Sequence, residues 1–153
     1  MDRILPKRKS PRLQNFDYTS ANYYFITICT HNKICLFGTA EENNQFGRIA
    51  EEGIHQISKH FPDVTVDIFN VMPNHVHMII VLNENKRKLS SVIGSYKAFV
   101  SKEIHKMAPE LFVWQRSFHD HIIRTQQSYE KIWIYVANNH RKWREDCFFS
   151  EEA

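Results

Sequence analysis

Two histidines separated by one apolar residue, His75-Val76-His77, are the sharpest chemical feature of this 153-residue chain. Residues 75–82, HVHMIIVL, read as a strand. Strand side chains alternate faces, so both imidazoles point one way and Val76 the other. Donors about 7 Å apart along the backbone can converge on one divalent ion, or can stand as an ordinary hydrogen-bonded pair. Two ligands are too few for a metal. A helix read over about 126–140 offers a third, because Tyr135 and Asn139 lie four residues apart on one face. That face carries an amide oxygen for an ion and a phenol one turn away. The same residues also fit a plainer assignment, with Tyr135 a core aromatic beside Ile132 and Val136, and Asn139 a helix C-cap. Tyr129 is the rival phenol. It lies six residues earlier, about 240° round the helix, so the two tyrosines cannot both face the histidine pair.

The elements that must position these groups are legible in the periodicity. YYFITICT (23–30) and VTVDIFNVM (64–72) are rich in β-branched and aromatic types and predict strands on either side of a helix over 47–61, with apolar Ile49, Ile54, Ile57 and Phe61. The histidine strand follows Pro73-Asn74. Its continuous apolar run places it centrally in a sheet. Helical spacing returns from Leu89 through Val92, Ile93, Tyr96, Val100 and Ile104 and ends before Pro109. LFVWQRSFHDHIIR (111–124) predicts a further extended stretch before the last helix. The order β-α-β-β-α-β plus a helix predicts an α+β, ferredoxin-like (split βαβ) fold: an antiparallel sheet with helices on one face and an additional C-terminal helix carrying Tyr135.

Composition narrows the classes. With 42% apolar and 24% charged residues the chain reads as globular. No apolar run approaches a membrane span, and the basic start lacks the apolar core of a secretory signal. Three cysteines in no metal-like spacing fit reduced thiols, so a cytoplasmic location is expected. The net charge of +3 is uneven. Residues 1–14 hold Arg3, Lys7, Arg8, Lys9 and Arg12 against Asp2, leaving the remainder near neutral. The chain therefore divides into a basic arm (1–20), a body (21–145) and a tail (146–153). The arm and a second basic stretch, Lys86, Arg87, Lys88, Lys97 and Lys102, are candidate phosphate contacts, since Lys and Arg gain affinity by releasing counterions. The 13% of aromatic residues offers stacking surface for bases, with Phe16, Tyr18, Tyr23, Tyr24, Phe25 and Trp114 as candidates.

VMPNHVHMIIVL, WQRSFHDHIIR and SYEKIWIYVANN resemble the signature blocks of the REP-associated and related single-tyrosine HUH transposases, and PRLQNFDYTSANYYFITICTHNKICLFG resembles the start of that family. The resemblance spans roughly residues 8 to 143. Carried over position by position, it makes His75 and His77 metal ligands, Asn139 the third ligand and Tyr135 the nucleophile. It implies single-stranded DNA, with a hairpin beside the cut, as substrate. It also implies Mg²⁺ or Mn²⁺ as cofactor, although two imidazoles and an amide by themselves also suit Zn²⁺. Members occur as monomers and as homodimers, some sharing the site between chains. In one place the sequence departs: many members read Asn-Pro where Asn139-His140 stands, and His in place of Pro allows the last helix to continue and offers a further group for the ion. The expected activity is metal-dependent cleavage and strand transfer through a 5′-phosphotyrosine. No general base is obvious; His119 and His121, which flank Asp120, fit either an assisting role or a structural one. Two other classes compete: a non-catalytic single-strand binding protein on the same scaffold, and an unrelated HxH hydrolase, which would need an acid such as Asp67 or Asp120 beside the pair.

Overall fold

The computed structural model describes residues 22–83 and 87–145. The candidate contacts Arg3, Lys7, Arg8, Lys9, Arg12 and Lys86, the stacking candidates Phe16 and Tyr18, and the 1–20 arm and 146–153 tail lie outside them. The chain runs β1 (Asn22–Cys29), α1 (Gln45–His60), β2 (Val64–Val71), β3 (His75–Leu82), α2 (Leu89–His105), β4 (His119–Ile123) and α3 (Gln126–Asn138). The sheet order is β2-β3-β1-β4, and every pair is antiparallel, which is the split βαβ arrangement expected from the sequence.

Alternation sorts the two sheet faces. Ile26, Ile28, Val76, Met78 and Ile80 turn to one side and form the main core with α1 and α2. The two helices come close at Gly53, where a Cβ would stand 2.9 Å from Val100 Cγ2 and 3.0 Å from Tyr96 Cε1. The other face carries a smaller apolar cluster under α3, formed by Tyr23, Ile79, Val81 and Ile123 with Tyr129, Trp133 and Ala137. α1 and α2 thus cover one face and α3 the other. Side chains start the helices: Asn44 Oδ1 accepts from Gly47 N at 2.9 Å, and Thr125 Oγ1 accepts from Ser128 N at 3.1 Å.

Two expectations change. The extended stretch expected over 111–124 pairs with β1 as two pieces. Thr27 faces His119 but Thr30 faces Trp114, so extra residues bulge out around Ser117, whose φ of 66° breaks the run. The last helix does not continue through His140. It ends at Asn138, and the chain turns into a short 3-10 segment, Trp143–Glu145. The turn is held where His140 Nδ1 donates to Ala40 O at 2.6 Å and buried Trp143 lays its ring 6.1 Å from that of His75. No helix among the described residues is long and apolar enough to cross a membrane.

Candidate active site at the His75 end of the sheet

β3 is central, flanked by β1 and β2, and all eight of its residues are buried. His75 and His77 therefore sit beneath α3 with essentially no solvent exposure. Each ring is held through its Nδ1. Asn74 Nδ2 donates to Lys33 O at 3.1 Å, which orients the amide so that Oδ1 accepts from His75 Nδ1 at 2.8 Å. Thr27, opposite His77 in the β1–β3 register, places Oγ1 3.0 Å from His77 Nδ1. Both Nε2 atoms then face the same point, 3.1 Å apart. Burial pulls the pKa of His75 down to about 3, so near neutral pH it is uncharged and its Nε2 presents a lone pair.

α3 supplies the remaining groups by running back across this face towards His75. Asn70 on β2 is buried and its Nδ2 donates to Val136 O, which fastens the last turn of α3 to the sheet. Tyr135 is 39% exposed, and its hydroxyl stands 3.5 Å from His77 Nε2. Phe25 supports both rings, edge-on to Tyr135 at 6.2 Å and 5.1 Å from His77. Asn139 occupies the C-cap position and is also hydrogen-bonded to His75.

The donor set suits a divalent ion. Two ligands on adjacent corners of an octahedron with bonds of about 2.1 Å stand about 3.0 Å apart, close to the 3.1 Å between the imidazole nitrogens. Backing of each ligating histidine through its other nitrogen is the usual second-layer arrangement. No cluster of three His, Cys, Asp or Glu suited to a metal exists among the described residues. Two imidazoles and an amide are the set that is present.

Other expected residues go elsewhere. Tyr129 is fully buried, edge-on to Tyr23, and donates its hydroxyl to Asp67, which the β2 bulge between Val66 and Ile68 turns towards α3. Asp120 pairs with Ile26 and belongs to the opposite sheet face, so neither acid of the hydrolase alternative joins the pair. His119 and His121 are exposed and share the α3 face, in register with Thr27 and Phe25. Arg87 and Lys88 follow β3 at its Leu82 end, roughly 24 Å from His75. Arg87 is bonded there to Asp63 through Nε and Nη2 and lies over the Phe61 ring. Lys97 Nζ donates to Gln115 O and Ser117 O at 2.9 Å each, and burial lowers its pKa. Lys102 is exposed on α2, the helix layer opposite the histidine face. Of the stacking candidates, Tyr23 is buried, while Phe25 and Trp114 are half-buried against neighbouring rings.

Sequence reasoning missed Thr27, Asn70, Asn74 and Trp143. Asn74 had the one usable signal, its place directly before His75. The others depend on register and on the turn after α3, which one-dimensional periodicity does not carry.

A sequence profile described as IS200-like transposase matches residues 17–139. A Haemophilus influenzae protein of uncharacterised function is 34% identical over 167 aligned positions, covering 93% of both chains. A second protein of that organism, provisionally named a REP-associated tyrosine transposase, is 26% identical over 133 positions, covering 80% of this chain and 72% of its own. Among solved structures, a REP-associated tyrosine transposase bound to a REP hairpin superposes with a TM-score of 0.61 at 20% identity, covering 80% of this chain and 68% of the other. A provisionally named transposase from Deinococcus radiodurans gives 0.58 at 14% identity, covering 82% and 96%. At these identities the two structures speak for the fold.

Proposed function

The chain belongs to the IS200-like transposase family, and from that membership we propose that it cuts and rejoins single-stranded DNA through Tyr135, with His75, His77 and Asn139 holding a divalent ion. One observation carries the reading: the Tyr135 hydroxyl lies 3.5 Å from His77 Nε2, itself 3.1 Å from His75 Nε2, so nucleophile and donor set meet within a single chain. A bound Mg²⁺ or Mn²⁺ would offset the negative charge that develops on the non-bridging oxygens of the scissile phosphate. The chain's own groups do the rest. Tyr135 is exposed enough to reach a phosphate from solvent, yet it is aimed by Phe25 and by the Asn70 tie on α3. Its oxygen attacks phosphorus in line, the P–O3′ bond breaks, and the phenol's proton is balanced by the one gained at the departing 3′-oxygen. The product is a 5′-phosphotyrosine and a free 3′-OH. A 3′-OH on the same or another strand reverses the step, so joining needs no nucleotide cofactor. We assign this chemistry to the body, residues 21–145, and phosphate holding to the basic arm. The REP hairpin bound by the solved relative favours a hairpin-bearing single strand as substrate.

Covalent trapping tests the reading. Protein, Mn²⁺ and a labelled pool of single-stranded hairpins with randomised flanks are resolved by denaturing electrophoresis. The expected result is an adduct that requires the metal and disappears in Tyr135→Phe and in His75→Ala. Tight binding of the pool without an adduct from the unmodified protein would replace it with the non-catalytic reading.

A further inference from the structure

Most aromatic side chains of the described residues are packed into the protein, and Phe112 is the most exposed of them. It is 72% exposed, far more than any other large apolar side chain among the described residues. Leaving a phenylalanine in water forgoes the stabilisation of burying it, and the loop that presents it is not loose. His31 N donates to Val113 O at 3.0 Å, Gln115 N to Cys29 O at 3.0 Å, and Trp114 Nε1 to Lys97 O at 3.2 Å. His105 Nε2 lies 2.8 Å from Leu111 O, and Lys97 clamps the Gln115 and Ser117 carbonyls. The backbone on both sides of Phe112 is thereby fixed, and its ring is held outward with the His31 ring 5.2 Å away.

The surroundings identify the chemistry of what would lie on that ring. Phe112 borders a surface groove of about 370 Å³ whose lining includes Lys97, His105, Trp114 and Arg116 and no acidic residue. The loop that carries Phe112 lies at the His75 end of the sheet, since Trp114 bridges to Thr30 and Cys29 pairs with His75. Thr30, immediately before His31, donates from its backbone N to Asn74 O at 3.0 Å, and Asn74 holds His75. Aromatic faces set in a cationic groove are how proteins hold single strands without reading sequence, because every base has a face to stack.

We propose that Phe112, backed by His31, is a stacking platform for a base of the DNA strand near the scissile phosphate, with Arg116 on the adjoining phosphate. This deepens the functional reading above and rests on it for the identity of the polymer. A platform that is rigid before binding loses little freedom on association. The strand it would hold runs from the histidine pair around the Thr30 end of β1.

The test separates the platform from the catalysis. Binding is measured by fluorescence anisotropy at fixed salt, with a labelled 15-nucleotide oligo-dT and with an abasic strand of the same length. Full-length protein is compared with Phe112→Ala and Phe112→Trp, and thermal melting is recorded for each. Phe112→Ala is expected to weaken oligo-dT binding by about tenfold, to leave abasic binding unchanged, and to leave Tm unchanged. Phe112→Trp is expected to retain or improve binding. Equal affinity of Phe112→Ala for oligo-dT overturns the platform, as does equal loss on both strands. A lower Tm with unchanged affinity would also overturn it, since the ring would then be covered by another part of this chain. No binding of oligo-dT by the unmodified protein overturns it as well. The trapping assay on the same preparations reports independently: an adduct with no base-dependent loss removes the platform alone, and a base-dependent loss with no adduct removes the catalytic reading alone.

Discussion

At the Leu82 end of β3, α3 lays Tyr129 and Trp133 on Tyr23, Val81 and Ile123. At the His75 end of the same strand, the same helix brings Tyr135 and Asn139 to two buried imidazoles. The first region is apolar apart from the Trp133 indole N–H and the Tyr129 hydroxyl, which donates to Asp67. The second holds all the buried polar side chains of the described residues: Thr27, Thr30, Asn70, Asn74, His75, His77 and Asn139. Burying a polar group costs free energy that its hydrogen bonds only recover, so packing for stability alone would not gather seven of them at one end of the sheet. The Leu82 end anchors α3, and the His75 end spends part of that stability on holding donors in one direction.

The widest separation between the ends should come from the two tyrosines. Tyr135→Phe is expected to reduce covalent adduct by at least about 10³-fold, with Tm unchanged because that ring is already part-exposed. Tyr129→Phe should keep the adduct and lower unfolding stability by about 1–3 kcal/mol, since it leaves Asp67 without its donor. Electrophoresis and urea denaturation of both variants measure this. Loss of adduct in Tyr129→Phe at a denaturant-free midpoint well above the assay temperature would erase the division.

Trp133→Ala is the next largest effect. The side chain is buried between Tyr129 and Ala137 in the smaller cluster, so its removal should cost about 3–5 kcal/mol and shift the urea midpoint. Adduct yield at low temperature should survive. A collapse of yield in protein that is still folded would show that Tyr135 depends on the anchor more tightly than the Asn70–Val136 tie requires.

Asn74→Ala probes the other end. It removes the acceptor for His75 Nδ1 and the tie to Lys33 O, and loss of such outer partners typically lowers metal affinity 10–100-fold. Titration calorimetry with Mn²⁺ should show that drop. Thr27→Val should give a smaller one, because it backs only His77. Unchanged affinity in both would mean that the rings are oriented by packing against Phe25 and Trp143.

The contrast between the ends explains what could be read from sequence. His75 and His77 were legible because period two puts them on one face wherever the strand lies, and Tyr135 and Asn139 because a helix face needs only spacing. The element order, and hence the sheet, followed from the same periodicities. Which end of the sheet a loop occupies does not follow from local pattern. The direction of β3 puts Arg87 and Lys88, both candidate phosphate contacts, at the Leu82 end. A loop with a left-handed Ser117 brings two carbonyls onto the Lys97 ammonium, a contact that helical spacing does not carry. Phe112 lies inside an apolar-looking run that predicts an extended stretch, yet it is the most exposed aromatic ring among the described residues.

The smallest predicted effect sharpens the comparison most directly, because it asks whether a basic residue at the Leu82 end touches DNA or only closes the fold. The Arg87 guanidinium beside Asp63 holds that carboxyl below its usual range. A folded-state pKa below the unfolded 3.8 means that the pair's contribution is present above about pH 4 and disappears as the pH falls through the folded value. Arg87→Ala should therefore be slightly less stable than the unmodified protein at pH 7. The gap should narrow below pH 4 and in high salt, leaving only the share that comes from the guanidinium over Phe61. Guanidinium chloride would screen the pair, so urea melts at pH 3, 5 and 7 are the measurement. Binding of a hairpin-bearing strand should be the same in both proteins, because Arg87 is a strand length from the histidines and already bonded. A weaker salt dependence of binding in the variant, by about one phosphate contact, would instead carry the DNA to the Leu82 end and make both ends of the sheet part of the binding surface.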